Sequence, residues 1–167
     1  MRYFLIVTVI CAAALDAGAQ LQAKFDRFKN RTELFAPSVE ETMKSANLGK
    51  LTPQVLTFFE GEKPAKPPPL VRLHFRVLSR DGWKYLRCHT MAALVNGKPF
   101  DLPAAKHDGH TIRGSAVLES IYVSLDWDKF EQLSNAATAE FRVCNTELSI
   151  TRRELEGWRD LIKAATP

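Results

Sequence analysis

The most regular alternation of apolar and polar residues runs from Leu70 to Ser79. Val71, Leu73, Phe75 and Val77 fall on one face, and Arg72, His74 and Arg76 on the other. This pattern predicts a half-buried strand. Asp81-Gly82 follows as a tight-turn signal. A two-residue turn there predicts a hairpin that pairs Val77 with Leu86, Phe75 with Cys88 and Leu73 with Thr90. Cys88 then lies on the core side as a small hydrophobe. On the opposite face His74 meets His89, and Arg76 meets Arg87.

Residues 117–125 alternate as well, with Val117, Ile121, Val123 and Leu125 on one face and Glu119 interrupting it. Ala139, Phe141 and Val143 predict another strand. A turn at Asn145-Thr146 brings Leu148 and Ile150 back, pairing Val143 with Leu148 and Phe141 with Ile150. That register puts Cys144 on the polar face. Residues 54–59 have the β-branched and aromatic content of a strand, and 32–35 predict a shorter one before Pro37. Asn96-Gly97 predicts a hairpin between 91–95 and 98–102, and His107-Asp108-Gly109-His110 marks a third reversal. Residues 20–30 are polar and mixed. Residues 38–50 read as a helical turn or a loop. Four prolines within 63–69 require an extended connector.

Two stretches switch to helical spacing. Asp128 with Glu131 fits a capping box for a short helix, with Phe130, Leu133 and Ala137 toward the core. Thr151 with Glu154 fits a second box. Leu155, Trp158, Ile162 and Ala165 follow at helical intervals, with Leu161 beside them, opposite Arg152, Arg153, Glu156, Arg159 and Lys163. So short a helix is marginal alone and needs a sheet to lie on. Hairpins with late helices predict a mainly antiparallel α+β or sandwich-like domain.

The N-terminus has a different pattern. One positive charge at Arg2 precedes an apolar run from Phe4 to Leu15. The run suits a secretory signal and falls short of the roughly 20 residues of a membrane span. Ala17-Gly18-Ala19 is an A-x-A site, so residues 1–19 are expected to be removed before Gln20. Cys11 lies inside the apolar run, behind a poor lipobox. Residues 20–167 then form one strand-rich domain, and no second stretch spans a membrane.

Composition narrows the function classes. The formal net charge is +4, with 23 Lys and Arg against 19 Asp and Glu. That mild excess is not the footprint of a dedicated nucleic-acid binder. No glycine-rich phosphate loop and no common nucleophile motif is present, and nothing calls for a cofactor. Export makes a Cys88–Cys144 disulfide chemically accessible, but the two hairpin registers turn these thiols to different faces and argue against it.

Three sets of residues carry candidate chemistry. Arg72, His74, Arg76, Trp83, Tyr85, Arg87 and His89 form a basic and aromatic strip that suits an anionic or saccharide ligand, or a protein partner. The competing reading is a solvated sheet face, or one covered by Glu40-Glu41. His107, Asp108 and His110 lie close enough in sequence to seed a metal site, though side chains on a turn need not converge. Glu119, if buried, needs a partner or becomes a general acid or base.

Several segments resemble small exported bacterial proteins of uncharacterised function. They are Phe25-Asp26-Arg27-Phe28 with Arg31-Thr32, Trp83-Lys84-Tyr85-Leu86, Gly114-Ser115-Ala116-Val117-Leu118-Glu119, and Phe141-Arg142-Val143 before Glu147-Leu148. The resemblance implies a periplasmic or secreted setting and transfers no catalytic residue. Asn30-Arg31-Thr32 is formally a glycosylation sequon, relevant only in a eukaryotic secretory route. The sequence thus points to an exported, non-catalytic binding or envelope-associated module. The alternative is a small metal-dependent or hydrolytic enzyme using His107, Asp108 and His110 or Glu119.

Overall fold

The alternation is realised as two antiparallel sheets with two helices. The computed structural model describes residues 21–38, 49–112 and 116–167. The expected signal at 1–19 and most of the loop expected at 38–50 lie outside them. The strands are β1 (Gln22–Asp26), β2 (Arg31–Ala36), β3 (Thr52–Glu60), β4 (Leu70–Ser79), β5 (Met91–Val95), β6 (Lys98–Phe100), β7 (Lys106–Ile112), β8 (Ala116–Asp126), β9 (Ala139–Val143) and β10 (Thr146–Ser149). The helices are α1 (Trp127–Ser134) and α2 (Arg152–Ala165). One sheet has the order β1-β2-β3-β4-β8-β7 and the other β10-β9-β5-β6. The domain is therefore α+β and mostly β.

Burial follows the side-chain period of two. Val71, Leu73, Phe75 and Val77 of β4 are buried, as are Ile121, Val123 and Leu125 of β8. Phe75 meets Phe141 of β9, with ring centroids 4.9 Å apart. The Asn96-Gly97 turn forms as expected, with both residues at positive φ and β5 paired to β6.

The Thr151 box is present. Thr151 Oγ1 accepts from Glu154 N, and the Glu154 carboxylate accepts from Thr151 N. Glu154 also accepts a bond from Ser38 Oγ at 3.0 Å, which ties the helix start to the chain just after β2. Leu155, Trp158, Leu161 and Ala165 are buried, and Phe130 of α1 lies against Trp158.

Several expectations are corrected. β4 does not pair with residues 83–90. Its neighbours are β3 and β8, and the β8 register covers the whole strand from Leu70 opposite Asp126 to Ser79 opposite Val117. A local turn signal lost to a longer, more apolar partner from further along the chain. Tyr85 is consequently buried and Leu86 exposed, the reverse of the expected hairpin.

His107 to His110 form part of β7 rather than a reversal. The β9–β10 turn is Cys144-Asn145, with Val143 opposite Thr146 and Phe141 opposite Leu148. Asp126, not Asp128, occupies the cap position of α1, without a side-chain bond. Ala136 is buried in place of Ala137. β1 escaped the sequence reading because it is an exposed edge strand, held by backbone pairing to β2 without an apolar face.

Cys88 and Cys144 form a disulfide, with Cα atoms 6.0 Å apart. The argument against it rested on two registers that the chain does not adopt.

Trp158 is the largest fully buried side chain. Its replacement by alanine is expected to destabilise the fold by about 3–5 kcal/mol in denaturant unfolding. A loss near zero would mean that α2 does not close the core.

Candidate binding site on the outer sheet face

The long β4–β8 register fixes which side chains share a face. Gln54, His74 and Tyr122 stand in one row across β3, β4 and β8, with Lys106 of β7 at its end. Thr52, Arg76, Ser120 and Asp108 form the next row. These positions face away from Val71, Leu73 and Phe75. They border an open cavity of about 390 Å³, lined by Arg72, His74, Arg76, Gln54, Ser120, Tyr122, Asp108 and His110, with Glu33 from β2.

Contacts within this face order it. The His74 ring stacks on Tyr122 at 4.9 Å between centroids. The Arg72 guanidinium lies over the same phenol ring, 5.9 Å from its centroid. Arg76 Nη1 donates to Gln54 Oε1 at 3.1 Å. His74 Nδ1 bonds Ser120 Oγ at 2.8 Å, while Nε2 is buried with no partner among the described residues. Burial pushes the His74 pKa down to about 4, and the charges of Arg72 and Arg76 push the same way. The imidazole is therefore neutral at neutral pH.

The inner side of the same sheet edge holds a separate cluster. Residues 83–90 cross it as a strap. The Glu119 carboxylate is fully buried and accepts from Lys84 N at 2.6 Å and Tyr85 N at 2.9 Å. His107 Nε2 lies 3.1 Å from Glu119 Oε1; a carboxylate only accepts, which places the ring proton on Nε2. His89 stacks on His107 at 5.0 Å, and Trp83 approaches the same ring at 6.0 Å. Gly109 makes room for this indole, because a Cβ there would come within 2.6 Å of Trp83 Cζ3. The Tyr85 hydroxyl reaches Thr146 Oγ1 at 2.8 Å, and the disulfide closes the strap.

The sequence-derived candidates are thereby redistributed. Arg72, His74 and Arg76 stay together on the outer face. Trp83, Tyr85, Arg87 and His89 belong to the strap and do not join them. His107, Asp108 and His110 are split by strand alternation, since His107 pairs at Ile121 on the inner face and the other two line the outer cavity. Among the described residues no three His, Cys, Asp or Glu side chains are grouped to hold a metal ion. Glu119 has basic and backbone partners, as a structural carboxylate should. Sequence reading missed Gln54, Ser120 and Tyr122. The signal for the last two was present, as the polar positions of the 117–125 alternation.

No family model matches the chain, and neither a curated protein nor a solved structure matches it. Among the described residues no helix is long and apolar enough to cross a membrane.

Glu119→Gln is expected to destabilise the domain by about 2 kcal/mol, since an amide turns one N–H toward a backbone donor. Urea unfolding measures it, and an unchanged midpoint would remove Glu119 as the anchor of the strap. His74 gives a pH signature. Above its ordinary value near 6.5 the ring is neutral in both folded and unfolded states. Below that, the unfolded chain takes a proton that the folded one refuses until about pH 4. Stability should fall with acidification through this window, and less steeply in His74→Gln. Parallel pH profiles for the two proteins would contradict the burial of His74.

Proposed function

We propose that the chain is an exported, non-catalytic binding module of a bacterial envelope or extracellular space, and that its ligand face is the outer side of the six-stranded sheet. The observation that carries the reading is the convergence of Arg72, His74, Tyr122 and Arg76 on one cavity, with a buried imidazole nitrogen that has no partner among the described residues. Guanidinium groups and a phenol in a half-enclosed space favour an anionic group over water. The Cys88–Cys144 bridge supports export, because disulfides persist in oxidising compartments. The cleavable leader at residues 1–19 belongs to the same reading. So does a sandwich-like stacking of the sheets beneath an amphipathic α2, supported by the Phe75–Phe141 contact and by the buried Leu155, Trp158 and Leu161.

The hydrolytic alternative is less well supported. Its residues lie on opposite faces of β7, and Glu119 and His107 are committed to holding the strap.

Amide chemical-shift mapping with a panel of small anions at low salt tests this function. Perturbations are expected on β3, β4, β7 and β8 at the outer positions, and high salt should abolish them. Perturbations centred on Arg87 and His89 instead would move the site to the strap and overturn the assignment.

A further inference from the structure

The surroundings of His74 say more about the ligand and about its coupling to pH; this step rests on the outer face being the binding site. Arg72 and Arg76 flank the imidazole on its own strand, two residues away on either side. Gln54 stands beside it on β3, and Ser120 and Tyr122 on β8. Asp108 of β7 is close enough to act on its charge. Glu33 and His110 are the other titratable groups on the cavity wall.

Two features of this wall select a ligand class. Arg72 offers a planar fork suited to a carboxylate, and Nε2 of His74, which has no partner among the described residues, lies in the same array. Asp108 and Glu33 disfavour a multiply charged anion and accept hydrogen bonds instead. A singly charged acid whose body carries donors satisfies both.

We propose that Arg72 and His74 hold the carboxylate of a small organic acid bearing hydroxyl or ammonium donors, and that its binding draws a proton from solvent onto His74. The physical reason is charge compensation. In the free protein a proton on His74 is opposed by burial and then by the guanidinium groups of Arg72 and Arg76. A carboxylate between Arg72 and His74 offsets that repulsion and gives Nε2–H an acceptor, so the ring takes its proton at a higher pH than in the free protein. By linkage the acid binds more tightly as pH falls.

The test is a titration of the imidazole C–H resonances of the wild-type protein from neutral to acid pH, alone and with gluconate, formate or sulfate. Gluconate is a monoanion with hydroxyl donors, formate is a monoanion of similar acidity without them, and sulfate stays doubly charged throughout the range. Gluconate should raise the His74 midpoint by about one unit, which corresponds to about tenfold tighter binding on acidification. Formate and sulfate should act more weakly. An equal or larger effect of formate or sulfate would overturn the ligand class. Gluconate shifts on the outer strands with an unmoved His74 midpoint would overturn the proton coupling and leave the binding face standing. Arg72→Gln with an unchanged thermal midpoint should lose the gluconate response. If that variant binds gluconate as the wild type does, Arg72 does not hold the carboxylate and the inference is wrong.

Discussion

The pairing of β4 with β8 is the constraint on which the rest of the molecule depends. It runs the full ten residues of β4, and β3 pairs along the other side. A strand held on both flanks cannot choose which face to bury. Slipping the register by one residue would send Val71, Leu73 and Phe75 outward and drive Arg72, His74 and Arg76 into the core. The hydrophobic cost of that exchange locks the basic residues outside, next to Tyr122, and Glu119 inside.

A buried carboxylate is tolerable only when its lone pairs are satisfied. Glu119 meets this need by capturing two backbone N–H groups of the strap and the His107 ring, and so turns a liability into an anchor. The disulfide fixes the strap a few residues later. It joins positions 56 apart in sequence, a span for which loop-closure entropy contributes about 4 kcal/mol. Cys144 takes a positive φ at the β9–β10 turn, where its N–H donates to Thr90 O. The strap thus covers the inner side of the sheet edge and leaves the outer side open.

Much of this was legible in the sequence, and the main failures share one cause. Alternation located β4, β8 and β9, Asn96-Gly97 located a hairpin, and Thr151 with Glu154 located the start of α2, because each is a local signal. Partner choice is not local. Asp81-Gly82 does turn the chain, with Gly82 at positive φ, yet residues 83–90 have less apolar surface to offer β4 than β8 has. From that wrong partner followed the wrong face for Tyr85 and, with the shifted β9–β10 register, the wrong opinion of the disulfide. Gly109 misled in another way. It suggested a reversal, whereas the glycine is needed for the close approach of Trp83. Of the basic strip, the three residues on a single strand kept their common face, and the four borrowed from the assumed hairpin did not.

What results is one sheet edge with two chemistries, a closed inner side of carboxylate, imidazoles and disulfide, and an open outer side of guanidinium, imidazole and phenol. Both follow from which strand lies beside His74. Proton–proton nuclear Overhauser contacts of the His74 ring test this most directly. The β4–β8 pairing predicts strong contacts from His74 to the Tyr122 ring and none to His89. Contacts between His74 and His89, with Tyr122 silent, would restore the hairpin and contradict the account.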